Sequence, residues 1–205
     1  MSHTKLFPTL EQKIKELEKA EIPLERKEIL QNLIDFIQDK KDADLPVRLN
    51  FICTHNSRRS QFSQIWAHLA SKIYNIPTEC FSGGTEVTAF HANAINSMAR
   101  AGFKSEKTTE TNPEIKMFYS EQESPLICYS KLYDSPENPS NLFAAVMTCS
   151  HADENCPVIP GADARIPLDY LDPKAFDNTP QVEEKYDERR DQIGAEMLYV
   201  FQKIK

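Results

Sequence analysis

The sequence lacks a long apolar run, because nowhere in its 205 residues do 18 uncharged apolar residues follow one another. A membrane-spanning helix needs about 20 such residues, and the opening MSHTKLFP does not provide the apolar stretch of a secretory signal. We therefore expect a cytoplasmic protein with no membrane partner. The sequence also lacks repeats and low-complexity segments, and its 40% hydrophobic and 27% charged content is that of an ordinary globular chain.

Long basic stretches are absent as well, and the formal net charge is -7. An acidic surface repels the phosphate backbone of nucleic acids, so we do not expect nucleic acid as a partner. Any anion that the protein binds must be held by a local site.

Cysteine is present in an odd number, at Cys53, Cys80, Cys128, Cys149 and Cys156. An odd set in a mid-sized chain without an export signal is typical of reduced thiols and not of a disulfide framework. Such thiols favour catalysis or metal binding.

Residues 1–46 are predicted to form a helical extension in front of an α/β domain. Thr9 and Gln12 indicate a capping box at the start of a first helix, and Pro23 suits the first turn of a second. We expect these two helices to pair as a hairpin, before a linker that ends at Pro46.

Residues 47–205 are predicted to form the main domain, an α/β fold with an open parallel sheet and helices on both faces. VRLNFI and TECFSGG are typical of buried strands, and each precedes a segment with helical spacing, Ser60 to Ile73 and His91 to Ala101. Two such units imply a parallel sheet. LFAAVMTC adds a strand, Thr179-Pro180 opens a last helix, and residues 113–134 indicate an inserted β-hairpin.

The segment from Cys53 to Ser60 places a thiol at the end of a strand and Arg59 at the start of the next helix. Loop amides, the helix dipole and the guanidinium together attract an oxyanion and stabilise a nucleophilic thiolate. Asn56 tolerates a left-handed backbone, and Ser60 either caps the helix or donates a hydrogen bond to the sulfur. Because the loop follows a parallel strand, where open α/β sheets bind ligands, we predict an active site here rather than a buried cysteine beside solvated arginines.

These residues resemble the low-molecular-weight protein tyrosine phosphatases and the thioredoxin-coupled arsenate reductases that share their fold. The resemblance runs from about Val47 to the C-terminus, with residues 1–46 and 113–134 outside it. It implies that Cys53 attacks phosphorus or arsenic, and that the loop binds the oxyanion. The substrate-binding residues are then Thr54, His55, Asn56, Ser57, Arg58, Arg59 and Ser60.

Three neighbouring features refine this resemblance. The stretch FSGGTE is similar to the Ser-Ala-Gly turn of the family, with Ser82 as the expected support of Asn56. His55 replaces a residue that is usually small. Gln64 stands where a potassium-binding reductase carries an acid, so we predict no potassium site, and we expect no cofactor.

The segment TCSHADENCPVIPG carries a second pair of cysteines and resembles the resolving segment of the thioredoxin-coupled reductases. The resemblance implies a relay in which Cys149 attacks Cys53 and Cys156 then attacks Cys149, with a thioredoxin-like reductant as partner. Two alternatives remain open: the pair is only buried packing, or Cys149, His151 and Cys156 bind zinc with Cys53. Cys80 and Cys128 are expected to be structural.

Asp172-Pro173 resembles the family's Asp-Pro loop, which implies that Asp172 is the general acid; Asp169 is the fallback. A lysine, Lys174, follows the proline where phosphatases often have an aromatic residue, which favours a small inorganic substrate. The sequence thus predicts arsenate reduction by Cys53, Arg59, Asp172, Cys149 and Cys156. The alternatives are phosphate-monoester hydrolysis through a phosphocysteine, and a non-catalytic redox or zinc-binding protein that dimerises through its N-terminal helices.

Overall fold

The computed structural model describes residues 5–108, 111–150, 152 and 158–205. The strands in this part of the chain are β1 (Val47–Cys53), β2 (Thr78–Gly84), β3 (Lys104–Lys107), β4 (Ile115–Phe118), β5 (Leu126–Cys128), β6 (Phe143–Met147) and β7 (Ala162–Pro167). The helices are α1 (Pro8–Leu17), α2 (Leu24–Asp42), α3 (Arg59–Ile73), α4 (Ala92–Arg100) and α5 (Val182–Lys203), with a short 3-10 helix at Pro173–Phe176.

Four parallel strands form the central sheet in the order β2-β1-β6-β7, which confirms the predicted fold class. The register pairs Cys53 with Gly84 across β1 and β2, and Ile52 with Met147 across β1 and β6. Since parallel strands end at the same edge of a sheet, the loops that follow β1, β2, β6 and β7 meet there. Ligand sites in open α/β sheets lie at this edge.

Alternation along the strands divides the core between the two faces of the sheet. Leu49 and Phe51 belong to the large apolar core that includes residues of α2, α3 and α5. Ile52 and Met147 belong to a smaller buried cluster on the other face, together with Cys53 and Cys149. Two of the three cysteines of the predicted relay, Cys53 and Cys149, therefore share one buried cluster.

The N-terminal helices are part of the large core. Both α1 and α2 pack against α5, and α2 also contacts β1 and β7. Leu10 and Leu30 are fully buried there. The predicted capping box is wrong, because α1 begins at Pro8, two residues before the predicted start, with Phe7 as a cap that makes no side-chain hydrogen bond.

The β-hairpin within residues 113–134 is confirmed as the antiparallel pair β4 and β5. A strand that was not predicted, β3, extends it to a three-stranded sheet. The N-terminal segment is tied to this sheet, since Leu6 bridges to Ser120 and the Phe7 amide donates to the Tyr119 carbonyl at 3.1 Å. Among the described residues, no helix combines the length and the apolarity needed to cross a membrane.

Candidate active site

The loop between β1 and α3 is held from below by the end of β2. The amides of Thr85 and Glu86 donate to the carbonyls of Cys53 and Thr54 at 3.2 and 2.8 Å. A methyl group on Gly84 would lie 2.7 Å from the Thr54 carbonyl oxygen and 2.8 Å from the Asn56 nitrogen, so only glycine fits. Asn56 has a φ of 46°, the left-handed conformation that its residue type was expected to allow.

A chain of hydrogen bonds leads to the Cys53 thiol, which is only 3% exposed. The Lys131 amide donates to Asn56 Oδ1 at 3.0 Å, which orients the Asn56 side chain. Asn56 Nδ2 then donates to Ser60 Oγ at 2.9 Å, and Ser60 Oγ lies 3.1 Å from Cys53 Sγ. Because Asn56 already occupies an acceptor position of the hydroxyl, the Ser60 proton is free to point at the sulfur. Of the two roles predicted for Ser60, the contact with sulfur is the one present.

The loop amides face no competing acceptor in the described part of the chain. The backbone N-H groups of residues 55–58 donate to no carbonyl and no side chain there. Unpaired amides at a helix N-terminus attract anions. The Arg59 Nε is also buried and finds no partner among the described residues.

Arg59 and Asp172, which are 113 positions apart in sequence, form an ion pair beside the thiol. Arg59 Nη2 donates to Asp172 Oδ2 at 2.8 Å, and Arg59 Nη1 donates to the Tyr170 carbonyl at 3.0 Å. The other Asp172 oxygen caps the 3-10 helix by accepting from the Lys174 amide at 3.0 Å. A small depression is enclosed by Cys53, His55, Ser57, Arg58, Arg59 and Asp172. The structure thus brings together the predicted nucleophile Cys53, the oxyanion-binding Arg59 and the predicted acid Asp172.

Two further side chains of the loop, those of His55 and Ser57, contact neighbouring groups of the protein. His55 Nε2 lies 3.3 Å from Glu86 Oε2, and Ser57 Oγ donates to the Ala89 carbonyl at 2.6 Å. Their backbone N-H groups, and not these side chains, are the groups available to an oxyanion.

Arg58 differs from the role predicted for it. Its Nε donates to the Tyr186 hydroxyl at 2.6 Å, and its Nη2 donates to Asp177 Oδ2 at 3.0 Å. Although burial alone would raise it, hydrogen bonds from Tyr186 and Asn93 and the charge of Arg58 hold the pKa of Asp177 below its ordinary value. Asp177 directly follows the 3-10 helix, so Arg58 anchors the far end of the Asp172 loop.

The predicted support of Asn56 by Ser82 is wrong. Ser82 Oγ donates to Gln64 Oε1 at 2.6 Å, and Gln64 Nε2 in turn donates to the Cys80 carbonyl at 3.1 Å. Asn56 is oriented by Ser60 and by the Lys131 amide. The position that carries an acid in a potassium-binding reductase therefore makes a neutral link between α3 and β2.

Cys149 is 1% exposed and lies two residues beyond Met147, the last residue of β6. Its Sγ is 3.5 Å from Thr54 Oγ1, the residue next to the nucleophile, and accepts from the Ala152 amide at 3.4 Å. Cys156 lies outside the described residues, so its role in the relay stays a prediction.

The remaining cysteines, Cys80 and Cys128, belong to the large apolar core and not to the cluster of Cys53 and Cys149. Burial raises the pKa of Cys128 to about 12 and also raises that of Cys80, so both thiols stay protonated near neutral pH. This agrees with the structural role expected for them. No group of three or more metal-ligating side chains occurs among the described residues; His151 and Cys156 of the zinc alternative lie outside them.

A cavity of about 600 Å³ opens beside the loop and was not predicted from the sequence. Its walls are apolar at Phe90, Ile95 and Ile115, and its rim carries His55 and Lys174. The β4 strand contributes to it, so the insertion borders the site. A shape of this kind depends on residues far apart in sequence and leaves no local signal.

Comparison with known proteins finds sequence relatives that are named arsenate reductase. An arsenate reductase of Brevibacillus brevis is 30% identical over 145 residues, which are 71% of this chain and 87% of the relative. Arsenate reductase 2 of Staphylococcus epidermidis is 32% identical over 110 residues, and the chain spans 66% of that relative's length and 54% of its own. No protein-family profile matches the chain.

Among solved structures, the low-molecular-weight protein tyrosine phosphatase from T. tengcongensis superposes with a TM-score of 0.50 at 14% identity. The match covers 77% of this chain and 99% of the phosphatase. At 14% identity this structural likeness establishes the fold alone, whereas the sequence relatives establish the family. The chain belongs to the arsenate reductase family and has the low-molecular-weight phosphatase fold.

Proposed function

We propose that this protein reduces arsenate to arsenite through a relay of cysteine thiols. The observation that carries the proposal is the meeting of Cys53, Arg59 and Asp172 around one depression at the carboxyl edge of the sheet. A thiolate, a bidentate cation and a carboxylic acid are the three groups that attack on an oxyanion requires.

In the first step, the Cys53 thiolate attacks arsenic while an arsenate oxygen leaves as water. Asp172 supplies the proton for that oxygen. Arg59 and the amides of residues 55–58 bind the remaining oxygens. Because Arg59 pairs with Asp172, an arriving anion competes for the guanidinium, and the released carboxylate takes up a proton from solvent and passes it to the leaving oxygen.

In the second step, Cys149 attacks the Cys53 sulfur. A disulfide forms between them, the sulfur-arsenic bond breaks with its electron pair moving to arsenic, and arsenite leaves. Cys156 then attacks Cys149, which frees Cys53 and leaves a Cys149 to Cys156 disulfide. A thioredoxin-like reductant in the cytoplasm returns this disulfide to two thiols. The burial of Cys149 in the same cluster as Cys53 supports the first exchange.

The test is an arsenate assay coupled to thioredoxin, thioredoxin reductase and NADPH. Wild-type protein should oxidise NADPH in proportion to arsenate. Cys53→Ser should abolish turnover, because a serine hydroxyl is not ionised by this loop. Cys156→Ala should allow about one turnover and then accumulate a Cys53 to Cys149 disulfide, seen by mass mapping. Undiminished cycling by Cys156→Ala would reject the relay.

Phosphate-monoester hydrolysis is the second candidate, and the 600 Å³ cavity favours it. Its apolar wall offers room for the organic group of an ester, which arsenate does not need. An aryl-phosphate assay in parallel decides between the two, since hydrolysis requires Cys53 and Asp172 but neither later cysteine. A dimer through the N-terminal helices, as in the third alternative, would need other surfaces, because the buried faces of α1 and α2 pack within this chain.

A further inference from the structure

The N-terminal helix α2 reaches the back of the candidate active site through one side chain, Arg26. Its Nε and Nη2 donate to the two carboxylate oxygens of Glu196 at 2.9 and 2.6 Å. Its Nη1 donates to the Asp169 carbonyl at 3.2 Å. Arg26 therefore joins the extension, the last helix and the segment just before Asp172.

Glu196 is a buried carboxylate, 2% exposed, and besides Arg26 it accepts hydrogen bonds from Tyr170 and Gln192. The Tyr170 hydroxyl donates to Glu196 Oε2 at 2.8 Å, and the Arg26 guanidinium lies 5.1 Å from the centre of the Tyr170 ring. Burial, and then the Glu196 charge, raise the pKa of Tyr170 well above its ordinary value, so its hydroxyl remains a donor. Removal of the cation from a buried ion pair strongly destabilises the folded protein, because the carboxylate is left buried without its charge partner. The positions of Glu196 and Tyr170 therefore depend on Arg26.

The network ends at the reactive groups. The carbonyl of Tyr170 accepts from Arg59 Nη1, and two residues later Asp172 accepts from Arg59 Nη2. Both contacts that orient the Arg59 guanidinium thus come from residues 170–172. Arg26 and Glu196 hold the N-terminal end of this segment. The downstream end is held by Arg58 and Tyr186 at Asp177.

We propose that Arg26 of the N-terminal extension is a positioning residue for the active site, acting through Glu196 and Tyr170 to place Arg59 and Asp172. This inference rests on the proposed roles of Arg59 and Asp172 in oxyanion chemistry. It gives residues 1–46, which lie outside the family resemblance, a part in the reaction without contact to substrate.

The experiment compares Arg26→Ala and Arg26→Lys in the full-length chain with a matched control, Lys40→Ala. Lys40 lies on the same helix and pairs with Asp163 of β7 at 2.5 Å, so its loss also removes an ion pair between the extension and the sheet. That pair lies near the start of β7, at the opposite end from residues 168–172.

Two readouts follow, both at a temperature where melting curves show every variant to be folded. One is kcat and KM for arsenate in the coupled assay. The other is the concentration of inorganic phosphate that half-protects Cys53 from iodoacetamide, which measures anion binding without turnover. A merely structural role would change the melting temperature and leave both readouts of the folded protein unaltered.

For Arg26→Ala we expect kcat to fall by about tenfold to a hundredfold and the half-protecting phosphate concentration to rise by about tenfold, because small misplacements of catalytic groups cost that much. Arg26→Lys should recover part of both losses, and Lys40→Ala should match wild type. Wild-type values in Arg26→Ala, or equal changes in Lys40→Ala, would overturn the inference.

If Arg26→Ala does not fold, Tyr170→Phe replaces it, since this change removes the hydroxyl at Glu196 and keeps the carbonyl at Arg59. It should shift both readouts in the same direction, and wild-type values would overturn the inference. Failure of wild type to reduce arsenate would reject the proposed function, while the protection assay would still decide the role of Arg26. Absence of phosphate protection in wild type would reject both.

Discussion

Removal of the Ser60 hydroxyl tests how the loop activates its thiol. In Ser60→Ala, Cys53 Sγ loses a donor at 3.1 Å, and Asn56 Nδ2 loses an acceptor at 2.9 Å. Nothing else in the loop need change, because the Lys131 amide still orients Asn56 through its oxygen. The two losses act on different quantities, the free energy of the thiolate and the free energy of unfolding.

The first loss is that of a hydrogen bond to a charged atom, which contributes about 1.5–3 kcal/mol. Since about 1.4 kcal/mol corresponds to a tenfold change in a rate or equilibrium constant, the rate of Cys53 alkylation at pH 7 should fall by up to about tenfold to a hundredfold. The second loss leaves a buried amide group unsatisfied at a cost of about 1–3 kcal/mol. In a chain of this size, each kcal/mol lowers the melting temperature by about 2–4 °C.

The assay is the rate of Cys53 alkylation by iodoacetamide at pH 7, with site assignment by mass spectrometry. Ser71→Ala is the control, because Ser71 is a buried serine of the same helix whose hydroxyl donates to the His68 carbonyl at 2.7 Å, far from the loop. We expect slower alkylation in Ser60→Ala only. Wild-type alkylation in Ser60→Ala, with phosphate protection intact, would show that the Ser60 proton does not point at the sulfur.

Three further predictions concern Gly84 next to the loop, the half-buried His68 and the candidate acid Asp172. Gly84→Ala should cost about 1–3 kcal/mol of unfolding free energy in urea titrations and abolish turnover, because its methyl group would displace the Thr54 carbonyl. Burial, aided by Lys72, lowers the pKa of His68 from 6.5 to about 4; the unfolded state therefore binds the extra proton between these values, stability should fall as pH falls through that range, and His68→Gln should flatten this part of the melting-temperature profile. Asp172→Asn should lower kcat by about 10²–10⁴ with little change in phosphate protection, and a loss confined to Asp169→Asn would transfer the acid role to the fallback residue.

The local sequence was sufficient to predict the structure where a structural requirement comes from residues that are near one another in sequence. The segment TECFSGG forms β2 from Thr78 to Gly84, with Cys80 and Ser82 buried on either side of Phe81 and two buried glycines at its end. Gly102 ends α4 with a φ of 103°, and Asn56 has the positive φ expected of the loop. The thiol and the arginine of the predicted site lie where a strand gives way to a helix, a position that the apolar pattern alone indicates.

The two strands that were missed carry no such pattern. All four residues of β3 are exposed and three of them are charged. In β7, which lies at the edge of the central sheet, Asp163 and Arg165 interrupt the apolar alternation, and only Ile166 is buried. Strands that are not covered on both faces need few apolar residues, so composition does not distinguish them from loops.

The supports of the site were beyond local sequence for a different reason. Arg26 and Glu196 are 170 positions apart, and Arg58 and Tyr186 are 128 apart. Ser82 was assigned to Asn56 by resemblance, whereas the strand directs its hydroxyl to Gln64 of α3. Partners of this kind are set by tertiary packing, which a single sequence does not reveal.

The packing of α1 and α2 on α5 also determines when the N-terminal helices can become buried during biosynthesis. The first two helices emerge from the ribosome early, yet the surface that covers them ends at Lys203, about 160 residues after Asp42. At 5–20 residues per second, roughly ten to thirty seconds pass before that surface is made. Throughout this interval the apolar faces of α1 and α2, which carry Leu10 and Leu30, are exposed on the nascent chain. Slower translation lengthens the time for which chaperones must protect them.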